Sequence, residues 1–375
     1  MTRLPDARLT ALDRRFMRRA LALAEPMLGR TSPNPVVGCV IARGRRVVGK
    51  GVTGAGGRPH AEAVALADAG ARARGATAYV SLEPCAHRGR TPPCARALVQ
   101  AGVRRVVVGC LDSYPPVRGR GIAILRRAGI DVTVGVLENE CRALNEGFFT
   151  RVARRRPFGI LKLAMSLDGR IAAASGDSRW ISSAQSRRLV HRWRAECDAV
   201  VAGAGTVLAD NPRLTCRVPG GRDPVRVIVD ARLRTPARAL VFTERSSAPA
   251  IIVTTRANLA RARRRYRNDR VEVLAIAARH REIALDALMR EFGRRGWCRV
   301  MIEGGAHLGA SALASGIVDR VAFFIAPKLV GDGLPALAGL ATRNIRDSIS
   351  LADIAIRRVG PDLLVEARPV LSRVR

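Results

Sequence analysis

Hydrophobic positions along the chain follow two periods in turn. Residues 8 to 28 place Leu12, Phe16, Ala20, Ala24 and Met27 at helical spacing before TSPNP breaks the helix. VVGCVIARGRRVVGKGV then predicts a hairpin turning at Gly44. HAEAVALADAGARA predicts a helix, TAYVSLE a strand, PPCARALVQAG a helix and RRVVVGC a strand; GIAILRRAGI, DVTVGVL and a helical ENECRALNEGFF continue the alternation. A charged run ending in proline, RVARRRP at 151–157, has no apolar period and reads as a linker. Beyond it FGILKLAMSLDG, DAVVAGAG, VRVIVD, AIIVTT, VEVLAI, CRVMIEGG and DRVAFFIAP predict strands. SAQSRRLVHRWRAE, ALDALMREFGRRG and AHLGASALASG predict helices. Such alternation predicts two α/β domains, 1–150 and 158–375. The length of 375 residues agrees, since single cores seldom grow past about 250–300 residues.

The formal net charge of +34 raises nucleic-acid binding as an alternative. The charge is nearly all arginine, spread along the whole chain, with lysine only at positions 50, 162 and 328. No basic run alternates with aromatics, so neither a nucleic-acid nor a membrane partner is expected, whereas anionic small molecules are. No apolar run reaches the length of about eighteen residues that spans a bilayer. The first residues lack the apolar stretch of a secretory signal, and a cytoplasmic location is expected. The oligomeric state is left open, a homo-oligomer included.

Eight cysteines occur, and those in apolar runs read as buried small hydrophobes rather than a disulfide framework. Cys85 and Cys94 differ: they lie in EPCAHRGRTPPC, polar and punctuated by proline. Upstream, His60-Ala61-Glu62 opens a predicted helix, and Pro93-Cys94 opens another. One histidine, two thiolates and an open fourth position form a catalytic zinc pattern. H-x-E followed by P-C is the signature of zinc deaminases, with the glutamate moving protons rather than binding metal. His60, Cys85 and Cys94 are therefore the candidate ligands and Glu62 the candidate proton carrier, with His87 free. The two cysteines stand nine residues apart instead of three, so the intervening loop must bulge out and return. Ordinary structural cysteines are the competing reading.

In the second half, Gly304-Gly305-Ala306-His307-Leu308-Gly309 follows a predicted strand and opens a helix, a place where bare amides meet phosphate. Simple tight turns explain the same glycines. Lys162 stands on a predicted strand, where it either polarises a substrate carbonyl or extends to solvent. His191 and His280 lie among arginines and are expected to be solvated.

PHAEAVAL, SLEPCAHRGRTPPC, TSPNPVVGCVI and ALNEGFF together resemble the deaminase half of the bifunctional riboflavin-biosynthesis deaminase/reductases. KLAMSLDGRIA, SGDSRWISS, TVLADNPRLTCR, IEGGAHL and APKLVG resemble the reductase half. The resemblance implies a cytidine-deaminase-like α/β/α domain followed by a dihydrofolate-reductase-like α/β domain. It implies zinc and NADPH as cofactors and phosphorylated pyrimidines as substrates. Deamination of a diamino-ribosylamino-pyrimidinone phosphate would be followed by reduction of its ribosyl chain to ribityl. A nucleic-acid deaminase with a basic accessory domain, or a chain with only its reductase half active, are the alternatives. By position the resemblance implies that Asn34, His87, Arg90 and Asp112 meet the deaminase substrate. It assigns Ala164, Trp180, Thr206, Asp210 and Gly305, Ala306, His307, Leu308, Gly309, Ala310 and Ser311 to NADP. Ser178, Arg194, Leu214, Arg217 and Glu303 are assigned to the reductase substrate, with Arg194 and Arg217 as phosphate clamps and Lys162 as a catalytic group. The family's D-P-N-P is here Asp112-Ser113-Tyr114-Pro115, which removes an amide.

Overall fold

The computed structural model describes residues 10–87, 92–279, 282–340 and 342–370. The chain divides into two compact units between Arg154 and Arg155. Unit 1 contains strands β1 (Gly38–Arg43), β2 (Arg46–Val52), β3 (Thr77–Leu82), β4 (Arg105–Cys110) and β5 (Asp131–Val134). Its helices are α1 (Ala11–Ala24), α2 (Ala61–Ala69), α3 (Cys94–Gln100), α4 (Arg120–Arg127), α5 (Glu138–Leu144) and α6 (Glu146–Arg154). The sheet order is β2-β1-β3-β4-β5, antiparallel through β2-β1-β3 and parallel through β3-β4-β5.

Local chemistry sets the element ends. Thr10 and Asp13 form a capping box that starts α1, and Asp13 also takes a two-pronged bond from Arg105 at the start of β4, at 2.9 and 3.1 Å. Helix α2 presents Ala61, Ala65 and Ala69 to the β1–β2 hairpin, all buried. A Cβ on Gly51 would lie 2.2 Å from the Ala61 carbonyl oxygen, so only glycine lets helix and hairpin approach this closely. That approach fixes where the start of α2 sits.

Unit 2 is built on nine strands in the order β11-β10-β9-β8-β14-β6-β15-β18-β17. They are β6 (Phe158–Ser166), β8 (Ala199–Gly203), β9 (Val225–Val229), β10 (Ala250–Thr255), β11 (Val271–Ile276), β14 (Arg299–Glu303), β15 (Arg320–Ala326), β17 (Ser350–Val359) and β18 (Asp362–Val370). Short pairs β7 (Arg170–Ala172) with β16 (Leu334–Pro335), and β12 (Ala278–Arg279) with β13 (Glu282–Ile283), stand apart. The helices are α7 (Ala184–Glu196), α8 (Ala204–Asp210), α9 (Leu240–Thr243), α10 (Leu259–Arg265), α11 (Leu285–Arg294) and α12 (Ala306–Ala314). Seven strands run parallel from β11 to β15 and the C-terminal hairpin closes the edge antiparallel. Separate apolar clusters form around Met301 and Ile228, and around Val300 and Val227. Neighbouring residues thus belong to different clusters, which is why these strands read as unbroken apolar runs.

Three features differ from the pattern expected of the sequence. The ENECRALNEGFF helix breaks at Asn145, whose side chain bonds both backbone groups of Val36 at 2.8 Å. Residues 151–154 continue α6 instead of forming a linker. The hairpin β17–β18 was not foreseen, because β17 is exposed along most of its length and carries no clean alternation. Among the described residues no helix is long and apolar enough to cross a membrane.

Two candidate active sites

In unit 1 the fold brings three donors together. His60 caps the start of α2 with extended backbone, and Cys94 is the first residue of α3 after an extended Pro93. Cys85 follows β3. Hydrogen bonds join the two cysteine segments, with Ala95 N–H donating to the Cys85 carbonyl at 3.2 Å and Cys94 N–H to the Cys85 sulfur at 3.3 Å. His60 Nδ1 lies 3.2 Å from Cys94 Sγ and 3.6 Å from Cys85 Sγ. The ligand atoms of all three lie within 4.8 Å of one another. Tetrahedral zinc with Zn–S of about 2.3 Å and Zn–N of about 2.0–2.1 Å has an N···S edge of roughly 3.6 Å. The donor set and its spacing therefore fit zinc.

The electrostatics match that chemistry. Hydrogen bonds from Cys94 and from His60 pull the Cys85 thiol down to about 4, against the cost of burial. The same Cys85 hydrogen bond, together with burial, pushes Cys94 up, so one thiolate is shared by the pair. Burial raises Glu62 to about 7, with Cys85 adding to the effect. A carboxyl so placed holds or releases a proton at neutral pH.

A cavity of ≈ 590 Å³ opens on this cluster, lined by His60, Glu62 and Cys85 and by Asn34, His87, Asp112 and Tyr114. Asn34 is exposed on its rim, its amide donating to the Gly56 carbonyl at 3.2 Å. His87 is exposed and meets Tyr114 edge-on, ring centres 6.1 Å apart, outside the donor triad. Asp112 is buried, and burial raises its carboxyl to about 6. Arg90 and His280 lie outside the described residues. Sequence reasoning missed Glu83, a buried carboxylate that shapes this wall. It accepts N–H bonds from Asp112, Gly119, Gly121 and Ile122 at 3.0 to 3.4 Å, fixing the 112–122 segment. The only signal was its place beside Pro84-Cys85, which the cysteine overshadowed. Arg151, placed by sequence in the linker, also lines the cavity, with Phe148 and Val152.

In unit 2, β14 and β6 pair with Glu303 directly opposite Lys162. Arg194, on α7, meets Glu303 through two bonds, Nε to Oε1 at 2.7 Å and Nη2 to Oε2 at 2.9 Å, while Nη1 bonds the Thr215 carbonyl at 3.0 Å. Lys162 Nζ lies 3.9 Å from Glu303. Burial would raise Glu303, but Arg194 and then Lys162 hold it at about 2. Burial lowers Lys162, partly offset by Glu303. His191 is not solvated: it is half-buried, its Nδ1 sits 3.2 Å from the Thr215 carbonyl, and burial with the charges of Arg194 and Arg217 lowers it to about 4. Its neutral ring therefore keeps the Nδ1–H tautomer.

A separate cavity of ≈ 680 Å³ in unit 2 is lined by Thr206, Asp210, Gly305, Ala306, His307, Leu308 and Ser311, together with Ser178. Ser178 donates to Asp210 at 3.1 Å. Gly304 and Gly305 have φ of +76° and +71°, and a Cβ on Gly304 would press on the Thr206 hydroxyl at 2.7 Å. The glycines are thus required where β14 hands over to α12, with bare amides facing a cavity. Gly309 and Ala310 are buried in α12, and Ala164 is half-buried on β6; none of these lines the cavity. Trp180 is exposed, with Arg187 4.3 Å from its ring centre, and does not line it either. Two expectations change. Arg194 is buried and spends three of its five N–H groups on Glu303 and Thr215, so it is not the freely extended clamp expected. Leu214 is buried in the apolar core, so its side chain is not exposed for a substrate. Arg217 is exposed and remains available.

Unit 1 is thus a zinc-dependent deaminase domain and unit 2 a dihydrofolate-reductase-like domain that uses NADPH. Residues 10–110 match the cytidine and deoxycytidylate deaminase zinc-binding region, and residues 157–365 match the RibD C-terminal domain. The chain is 41% identical to the riboflavin biosynthesis protein RibD of Aquifex aeolicus, covering 94% of this chain and 98% of that protein. Identity to the Escherichia coli RibD is also 41%, at 94% and 98% coverage. A Thermotoga maritima crystal structure, a diaminohydroxyphosphoribosylaminopyrimidine deaminase/5-amino-6-(5-phosphoribosylamino)uracil reductase, superposes with a TM-score of 0.86 at 36% identity, covering 96% of this chain and 99% of that one. The chain belongs to the RibD family of bifunctional riboflavin-biosynthesis enzymes.

Proposed function

We propose that unit 1 hydrolyses the ring amine of a phosphorylated diamino-ribosylamino-pyrimidinone and that unit 2 reduces the ribosyl chain of the resulting aminouracil. His60, Cys85 and Cys94 would hold the zinc. When bound, zinc supplies Lewis acidity that makes water nucleophilic at neutral pH. Glu62, buried beside Cys94 with a carboxyl near 7, takes a proton from the attacking water and gives it to the ring nitrogen; it then carries the proton of the newly added hydroxyl to the amine, which leaves as ammonia as the carbonyl forms. Asn34, at the rim, orients the pyrimidine. His87 faces the substrate from the opposite edge with Tyr114, and Asp112 accepts from its amino groups.

In unit 2, Thr206, Asp210 and the Gly305–Ser311 turn hold NADPH, which supplies the hydride when bound. Lys162 donates to the opened sugar's carbonyl oxygen. Its ammonium is steered by Glu303, which Arg194 keeps charged and oriented. Arg217 takes the substrate phosphate. Small phosphorylated pyrimidines are the partners, and the cytoplasm is the expected location. A single observation carries this reading: one imidazole and two sulfurs, far apart in sequence, close around one point with a buried glutamate beside them. Its test is to supply the diaminopyrimidine phosphate with and without NADPH and identify the products. The aminouracil accumulates without NADPH, and its ribityl derivative forms with it. Release of no ammonia under either condition would refute the assignment of unit 1.

A further inference from the structure

We infer that Arg151 is a substrate-binding residue of the deaminase pocket and that it grips the substrate's phosphate. This rests on the function proposed above, which supplies a phosphorylated substrate. Arg151 lies on α6 between Phe148 and Val152, positions three and four apart that line the cavity from one helix face. The pocket's carboxyls come from other elements, Glu62 from α2, Glu83 from the end of β3 and Asp112 from the end of β4. One terminal nitrogen of Arg151 donates to the Pro33 carbonyl at 3.0 Å, next to Asn34. That bond ties the guanidinium to the loop that holds the rim amide. Its Nε is buried and has no hydrogen-bond partner among the described residues. No carboxylate pairs with Arg151 among the described residues either. An unmet buried donor is costly, and a guanidinium has a fork of parallel N–H groups that suits two oxygens of a phosphate. The substrate's phosphate satisfies both the orphan donor and the uncompensated charge.

The test uses the full-length zinc-loaded chain and measures deamination alone, without NADPH. Arg151→Ala is compared on the phosphorylated substrate and on its dephosphorylated analogue, with inorganic phosphate as a competing probe. Expected is a rise in KM of about tenfold or more for the phosphorylated substrate, little change for the analogue, and weaker inhibition by phosphate. Arg151→Gln keeps a donor for the Pro33 carbonyl without charge and is expected to lose the same discrimination, whereas Arg151→Lys recovers part of it. Equal losses on both substrates would mean that Arg151 acts by holding the Pro33 loop, and no loss on either would mean no role; both overturn the inference. Failure of the parent reading looks different, since the unsubstituted chain would then release no ammonia.

Discussion

The two units treat buried charge in opposite ways. In unit 1 two carboxyls that line the cavity are raised toward neutrality, Glu62 to about 7 and Asp112 to about 6, chiefly by burial. In unit 2 the buried carboxylate Glu303 is held at about 2 despite burial, and His191 is lowered to about 4, so both stay in one charge state. Burial is common to both sites, and the counter-charge makes the difference. Glu303 has a two-pronged guanidinium and a nearby ammonium; Glu62 has a thiolate neighbour instead. Hydrolytic deamination needs a group that gains and loses protons at each turnover. Hydride transfer draws its chemistry from the cofactor and needs a fixed field to orient the reactants. Each unit's buried charges suit its own half of the work.

The largest expected effect separates the two halves outright. Cys94→Ala should take bound zinc from about one per chain to near none and abolish deamination, with reduction retained. Metal analysis beside the two half-reaction assays checks it, and full zinc occupancy in the variant would remove Cys94 from the ligand set. Glu62→Gln should keep the zinc and slow deamination by about 10²–10⁴-fold. A parallel collapse of reduction would contradict the independence of the sites.

Glu303→Gln probes the fixed charges. Removing one partner of a buried ion pair costs about 3–5 kcal/mol, which lowers the unfolding midpoint of a domain this size by roughly 6–20 °C. Reduction should fall with it while deamination persists. A midpoint within a degree of the parent would show that the Arg194–Glu303 pair is not structural.

The smallest effect is pH dependence. His191 binds a proton less tightly in the folded chain, at about 4, than at its ordinary 6.5. Its contribution to stability is therefore complete above pH 6.5 and lost as pH falls toward 4, with solvent screening of the half-exposed ring reducing its size. Glu303 adds a loss of the same sign below pH 4.5. Asp112 runs the other way: its folded carboxyl binds a proton more tightly than the ordinary 3.8, so its contribution is full below that value and is lost as pH rises through about 6. Calorimetry across this range should show the transition of unit 2 to be the more acid-sensitive. The reverse order would undo the comparison of the two units.

Much of this protein is written in local patterns. The helix of α1 follows from its apolar spacing and its Thr10–Asp13 box, and the β1–β2 hairpin from its turn at Gly44. The cluster of His60, Cys85 and Cys94 was legible because metal-binding side chains are few in kind and sit at characteristic places, a histidine before one helix and a cysteine opening another. Other parts depend on who becomes whose neighbour. Arg151 looked like linker charge until α6 carried it to the cavity. Glu83 was hidden because its partners are backbone N–H groups, which every residue but proline has and which carry no sequence signal. Arg194 looked like a phosphate clamp, one arginine among many, until the register of β6 against β14 set Glu303 beside Lys162 and within its reach. Periodicity and ligand chemistry act over a few residues and can be read in order along the chain. Pairing across a sheet and the closing of a cavity act over a hundred or more, and only the folded chain decides them.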